Sequence, residues 1–277
     1  MPSFDISRDR CRLAESHISV LGHLADDEQV PEELTEALEE LREVGLVTED
    51  DRPSALLDDL INTLGNPVVV IQVEITGPLG MTDHGIVVGR DVILAHESWI
   101  GDEESEYVKL VPALLVPALA RMVNLRELEP ASGTGITTVD TSMGALDAAF
   151  TALAELPLDD IDTSSDVARQ AIAAAGGPAE PHLALFADMV VGLRASWRVT
   201  AAWRSEREGQ AGMEVRGIAV WDCGPHGYWH RELPEEPVLE GEVTAESPLR
   251  LARITPKELW EKLTDLLPDQ EDLAPGM

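Results

Sequence analysis

The 277-residue sequence predicts an α+β fold: two tandem, pseudo-symmetric repeats forming a central, mostly antiparallel sheet flanked by helices. Three observations carry that prediction. An apolar-striped helix pattern beginning at Ser54 runs into a β-branched strand, and two more short strands follow at Gly-containing turns. The same order of patterns returns in the second half of the chain. Residue types also recur at near-constant spacing: Phe186 follows Leu57, Leu193 follows Leu64 and Val199 follows Val70 by 129 residues (186 − 57, 193 − 64, 199 − 70).

Repeat one spans 1–129. Phe4 to Ile6 reads as a short strand, with Ser7 as N-cap of a helix carrying Leu13, His17, Val20 and Leu21. Pro31 opens a clearer helix, with Glu32 and Glu33 at its positive end and Leu34, Leu38 and Leu41 as its stripe. Leu56, Leu57, Leu60, Ile61 and Leu64 share one face of the next helix, which Gly65-Asn66-Pro67 ends. Val68 to Ile75 then reads as a strand buried on one face and partly covered on the other. Gly85 to Val88, Val92 to Ala95 and Glu106 to Val111 are the strands that follow. Pro112 opens a helix through Leu115, Leu119 and Met122. Pro117 predicts a kink or a later start there, because an internal proline costs about 3 kcal/mol.

Residues 130–135 read as a linker, small and turn-forming. Repeat two spans 136–277, both repeats making one domain. Thr138 to Ser142 echoes Ser3 to Ser7, and three helices follow: 144–156, 166–175 and one opened by Pro181. Trp197 to Trp203 answers Val68 to Glu74, with a polar loop expected over 206–212. Gly217-Ile218-Ala219-Val220 repeats Gly85-Ile86-Val87-Val88 after 132 residues (217 − 85). Tyr228 to His230 and Leu249 to Ile254 complete the strands. Thr255-Pro256-Lys257-Glu258 is a capping box for a last helix carrying Leu259, Leu263, Leu266 and Leu267.

Composition narrows the function. Asp and Glu number 52 against 20 Lys and Arg, a net charge of −32, which repels nucleic acid and anionic lipid. Two cysteines far apart form no disulfide framework or zinc motif and suit a reducing compartment. The N-terminal stretch lacks a signal-peptide core, and no window reaches membrane-spanning length, so a cytoplasmic protein is expected.

No phosphate-binding glycine loop, nucleophile elbow or HExxH occurs. Cys223, His226 and His230 could converge on a metal, but their stretch reads as a hairpin packed on the sheet. His84 beside Asp83 and His96 beside Glu97 resemble oriented bases without a nucleophile. A hydrolase built on His84 and His96, or on His226 and His230, is the enzymatic alternative. A general protein-interaction module unrelated to secretion is another. The favoured expectation is no catalytic residue, no cofactor and no metal. Five of six tryptophans fall in repeat two, and interfaces favour aromatics. Trp203, Trp221, Tyr228 and Trp229 are therefore the expected partner-binding residues.

The stretch Glu40 to Val47, the strands Val68–Ile75, Gly85–Val88 and Val92–His96, the segment Val108–Met122, and the ending Gly227-Tyr228-Trp229 with Leu249–Leu267 resemble the EspG proteins of actinobacterial type VII (ESX) secretion. The resemblance covers nearly the whole chain through layout and apolar patterning. It implies a pseudo-two-fold fold with a central sheet and helical bundles, and a cytosolic, non-enzymatic chaperone. Its partner would be the aggregation-prone helical tip of a PE–PPE-like secreted protein. Acidic stretches at 101–106 and 235–246 depart from that pattern.

Overall fold

The computed structural model describes residues 1–127, 135–156, 163–207, 210–233, 241–269 and 273. The first half supplies β1 (Ser3–Asp5), β2 (Arg10–Ala14), α1 (Glu15–Ala25), α2 (Thr35–Glu43), α3 (Asp58–Gly65) and β3 (Val69–Gly77). It continues with β4 (Gly80–Val88), β5 (Ile93–Glu97), β6 (Glu104–Leu110) and α4 (Leu115–Met122). The second half supplies β7 (Thr138–Ser142), α5 (Met143–Ala154), α6 (Ser164–Ala174), α7 (His182–Val191) and β8 (Ala195–Arg207). After these come β9 (Gln210–Asp222), β10 (Tyr228–Arg231), β11 (Pro248–Ile254) and α8 (Pro256–Asp265).

Among the described residues all 11 strands join one sheet, in the order β1-β2-β6-β5-β4-β3-β8-β9-β10-β11-β7. Every ladder is antiparallel. Outward from the centre, β3, β4, β5, β6 and β2 are answered by β8, β9, β10, β11 and β7. Within the sheet the two halves meet where β3 pairs β8, and β1 is an extra strand at one edge.

Three expectations from the sequence change. The second-half equivalent of Thr138–Ser142 is β2, not the segment at Ser3, because both strands flank the fourth meander strand and run directly into a helix. Leu13 accordingly lies in β2, fully buried, rather than in a helix. The spacing of 129 holds for the helices, where buried Leu57 and Leu60 answer buried Phe186 and Met189. It fails in the central strand, since Val70 is 41% exposed whereas Val199 is fully buried. A one-residue slip turns every side chain to the other face. The ladders close instead with a shift of 128 from β3 to β8 and 132 from β4 to β9. Under these shifts Val69↔Val88 falls on Trp197↔Val220 (69 + 128, 88 + 132), a pair the sheet contains. The pseudo-two-fold axis then passes through the pair Gln72↔Thr200 (72 + 128).

The third change is in the long hairpin. β8 and β9 are each 13 residues, so the expected polar loop over 206–212 is mostly strand, with 208–209 outside the described residues. The expected linker 130–135 also lies outside them, Gly135 excepted, as does most of the acidic stretch 235–246. At 101–106, by contrast, Glu104 begins β6. Pro117 sits in the first turn of α4, where its missing N–H has no helical partner to lose, so no kink is needed.

The two sheet faces are covered differently. On one, α4 and α8 bury Leu115, Leu119, Leu259 and Leu263 against Val69, Ile71, Val73, Trp197, Val199 and Trp203 at the sheet centre. On the other, α1–α3 pack over Cys11, Leu13 and Leu94 toward one edge. There α5–α7 pack over Val139, Trp221, Trp229, Leu249 and Leu251 toward the opposite edge.

Helix α8 is held at both ends. Thr255 and Glu258 form the reciprocal capping box, Glu258 N donating to Thr255 Oγ1 at 3.2 Å and Thr255 N to Glu258 Oε2 at 2.8 Å. At the other end Arg216 Nη1 donates to the carbonyls of Asp265 and Leu267, both at 3.1 Å. Thr255→Ala should cost about 1 kcal/mol by removing the N-terminal cap, measured by chemical denaturation. A shift of the midpoint indistinguishable from zero would show that the box is dispensable.

Candidate functional site: an open sheet face between two helical layers

Antiparallel pairing assembles the centre of the second face from side chains that alternate away from the buried core. One rung reads Val87–Val70–Ala202–Val215 across β4, β3, β8 and β9. The next reads Gly85–Gln72–Thr200–Gly217, and a third reads Asp83–Glu74–Arg198–Ala219, with Arg231 of β10 beside Ala219. The helical layers stop at its margins, α5 touching Arg231 through Met143. Val70 is 41% exposed, Val215 60% and Met213 65%, and Gln72, Arg198, Arg204 and Gly217 are exposed as well. A sheet centre that leaves large apolar side chains in water is where a partner or ligand belongs.

On the α3 side the strip deepens into a cleft of about 670 Å³, its wall formed by Asn62, Asn66 and Arg90 and its floor by Val70, Ala202 and Met213. Gly89 lets this wall close up: a Cβ there would lie 3.0 Å from Thr63 Oγ1 and 3.1 Å from the Val92 carbonyl. The middle rung is flat because glycine flanks it on both sides. Gly85 is obligatory, since a Cβ would stand 2.9 Å from the Ile71 carbonyl. Gly217 is not, as its nearest neighbours would be 3.6 Å away.

Charge on the strip is uneven. Some cations elsewhere are matched, as in Arg121 bidentate to Glu97 at 2.6 and 2.7 Å and Arg126 to buried Asp222 at 2.9 Å. Among the described residues Arg198 and Arg204 pair with no carboxylate. The polar contact of half-buried Arg231 is Nη2 to Met143 Sδ at 3.7 Å. Burial, and then the neighbouring charge of Arg198, holds the Arg231 pKa below the usual guanidinium range.

The residues expected to bind a partner lie elsewhere. Trp203 is 2% exposed, Trp221 4%, Tyr228 1% and Trp229 1%. Trp203 and Tyr228 are in the central core under α4 and α8, Trp221 and Trp229 under α5–α7. The expected aromatic face is therefore corrected to core packing, because a partner cannot touch these rings without opening the sheet. The exposed tryptophans are Trp99 and Trp260. A signal for the open strip is present in the sequence: Gln72 and Glu74 alternate with β-branched residues, as do Arg198, Thr200 and Arg204 with apolar ones. Such alternation marks strands with one solvated face.

The histidines do not converge. Gly85 pairs His96, so His96 projects to the open-face side, where its ring lies 5.1 Å from that of Tyr107. His84, one residue along, projects to the opposite face and accepts from the Ser98 amide at 3.2 Å. His226 sits in the tight turn after Cys223, whereas His230 lies in β10, opposite Val220 on the core face of the sheet. Cys223 is fully buried, its thiol pushed up by burial, and no cluster of three metal-binding side chains occurs among the described residues.

Burial holds His84, His96 and His230 below the ordinary histidine value of 6.5. The folded state therefore prefers them neutral. As pH falls through 6.5 the unfolded chain takes up protons first, so their contribution is present above that value and lost below it. Wild type should thus lose more stability between about pH 7 and pH 5.5 than His96→Gln does. Equal losses by denaturant titration would remove His96 from that account.

The Mycobacterium tuberculosis type VII secretion system chaperone EspG5, solved in complex with a PE25–PPE41 dimer, has a similar structure. The TM-score is 0.53 at 14% sequence identity, over 95% of this chain and 99% of that one. The two share a fold. No family model matches the sequence, and no curated protein does. No helix among the described residues is long and apolar enough to cross a membrane.

Proposed function

We propose that this chain, sharing the fold of a secretion chaperone, is itself a non-enzymatic cytosolic chaperone or adaptor. Its partner is a PE–PPE-like type VII secretion substrate, whose helical tip docks on the open central strip and is thereby kept soluble before export. One observation carries the reading. A sheet with helices over both faces leaves Val70, Val215 and Met213 in water on one face, between two helical walls. An apolar helical tip removed from water onto that strip gains hydrophobic free energy at about 25 cal/mol per Å² buried. The two repeats form one binding unit, because the strip exists only where β3 meets β8.

The test is co-expression with each PE–PPE pair of the native host, followed by affinity capture and size-exclusion chromatography. A PE–PPE pair should become soluble and co-elute with wild type, and should fail to co-elute with Val215→Asp. If no PE–PPE pair is retained, or Val215→Asp retains it fully, the reading fails.

A further inference from the structure

The open strip is built on a pseudo-two-fold axis, but its chemistry is not two-fold. With the strand shifts of 128 and 132, Val70 maps onto Arg198 and Glu74 onto Ala202 (70 + 128, 74 + 128). Val87 maps onto Ala219 and Asp83 onto Val215 (87 + 132, 83 + 132). The rung Val87–Val70–Ala202–Val215 is therefore the symmetry image of the rung Ala219–Arg198–Glu74–Asp83. One rung of the duplicated surface is wholly apolar and its image is charged; in the rungs just outside them Arg204 stands beyond the apolar one, and exposed Met81 and Met213 (81 + 132) answer each other. A purely apolar helix laid across a two-fold surface would fit in two directions; this surface distinguishes them.

The charged end has a polarity of its own. Asp83 and Glu74 lie on β4 and β3, Arg198 on β8 and Arg231 on β10, on one face. Arg198 and Arg231 are like charges across one intervening strand, close enough for Arg198 to act on Arg231, and the polar contact of Arg231 is Met143 Sδ at 3.7 Å. The chain as a whole carries −32 and so repels carboxylates from solution. Arg198 has Glu74 across the ladder on one side only, and a partner carboxylate on its other side, between it and Arg231, gains charge-assisted hydrogen bonds.

Given the reading of the strip as a docking surface, we propose that its occupant is a charge-polarised helical segment bound in one direction. Its apolar end lies on Val87, Val70, Ala202 and Val215. Its other end places an Asp or Glu carboxylate over β8–β10, between Arg198 and Arg231. A segment ending in Lys at that point is excluded by the same pair.

Display selection of helical peptides about 18 residues long, five turns, with Leu, Ser, Glu and Lys randomised, tests this on the full chain. Binding of the selected peptide is then measured by fluorescence anisotropy on wild type, Arg198→Glu, Arg198→Gln and Val215→Asp. The expected peptide is apolar at one end and carries Glu at the other. Exchanging that Glu for Lys weakens it at least about tenfold on wild type, Arg198→Glu reverses the preference, and Arg198→Gln abolishes it. If Val215→Asp removes binding while the Glu-to-Lys exchange alters affinity less than about twofold, the strip docks helices but the polarity is wrong. If Val215→Asp leaves binding intact, the docking reading itself falls.

Discussion

Gly217→Trp is expected to abolish retention of the proposed PE–PPE partner, weakening it more than about 100-fold, while the unfolding midpoint stays within about 0.5 kcal/mol of wild type. Both halves of that result follow from position. Gly217 is exposed on the open face, at the middle rung where the strip is flat. A Cβ there meets Leu233, the Val199 carbonyl and Thr200 Oγ1 only at ordinary contact distances of 3.6–3.7 Å. Glycine inside a strand is itself a weakness, so the fold has nothing to lose. The new indole would stand where the proposed partner's helix docks. Gly85, its symmetry equivalent (85 + 132), is the control: Gly85→Ala should destabilise the fold, because its Cβ would collide with the Ile71 carbonyl at 2.9 Å. Retained binding in a folded Gly217→Trp variant would place the interface elsewhere.

Trp203→Ala should do the opposite, lowering the unfolding free energy by about 3–5 kcal/mol through loss of buried contacts and a residual cavity. The ring is 2% exposed, and the Arg216 guanidinium carbon lies 4.8 Å over its centroid. That guanidinium also holds the carbonyls at the C-terminal end of α8, so the substitution loosens the helix that covers the central core. Trp203→Phe should cost less, because the buried Trp203 Nε1 has no hydrogen-bond partner to lose. The measurement is a denaturant midpoint at constant m-value. A loss below about 1 kcal/mol for Trp203→Ala would contradict the packing account. Binding lost in Trp203 or Trp229 variants therefore reports on folding, not on an interface.

Much of the architecture was legible in the chain. Helices showed their stripes, the Thr255–Glu258 capping box fixed the start of α8, and the second-half meander announced itself through Gly217-Ile218. What spacing could not convey was parity. Helices tolerate an offset of 129 because a one-residue shift rotates a side chain by only about 100°; a strand turns it over completely. The β1–β2 hairpin was read as strand and helix because Leu13, His17, Val20 and Leu21 also suit a helical period. Tryptophans were assigned to an interface by residue type alone, which says nothing of which sheet face the helices cover. That covering is a tertiary fact. It left the strip unseen, although the alternation of Gln72, Glu74, Arg198 and Thr200 recorded one solvated face.

Among the described residues the strand at one end of the sheet, β1, has no counterpart at the other, and this bears on self-association. A sheet of 11 strands ends in two rows of unpaired backbone groups, each a template for another chain of the same kind. Here the terminal strands are three and five residues long. They carry Asp5 and Asp140, and Asp140 is fixed to Arg250 of the neighbouring strand at 3.2 Å. Short, acidic borders on a chain of charge −32 make edge-to-edge joining unfavourable at every approach. If the open sheet centre is a docking surface as proposed, such margins favour its being covered by a partner and not by a second copy of this chain.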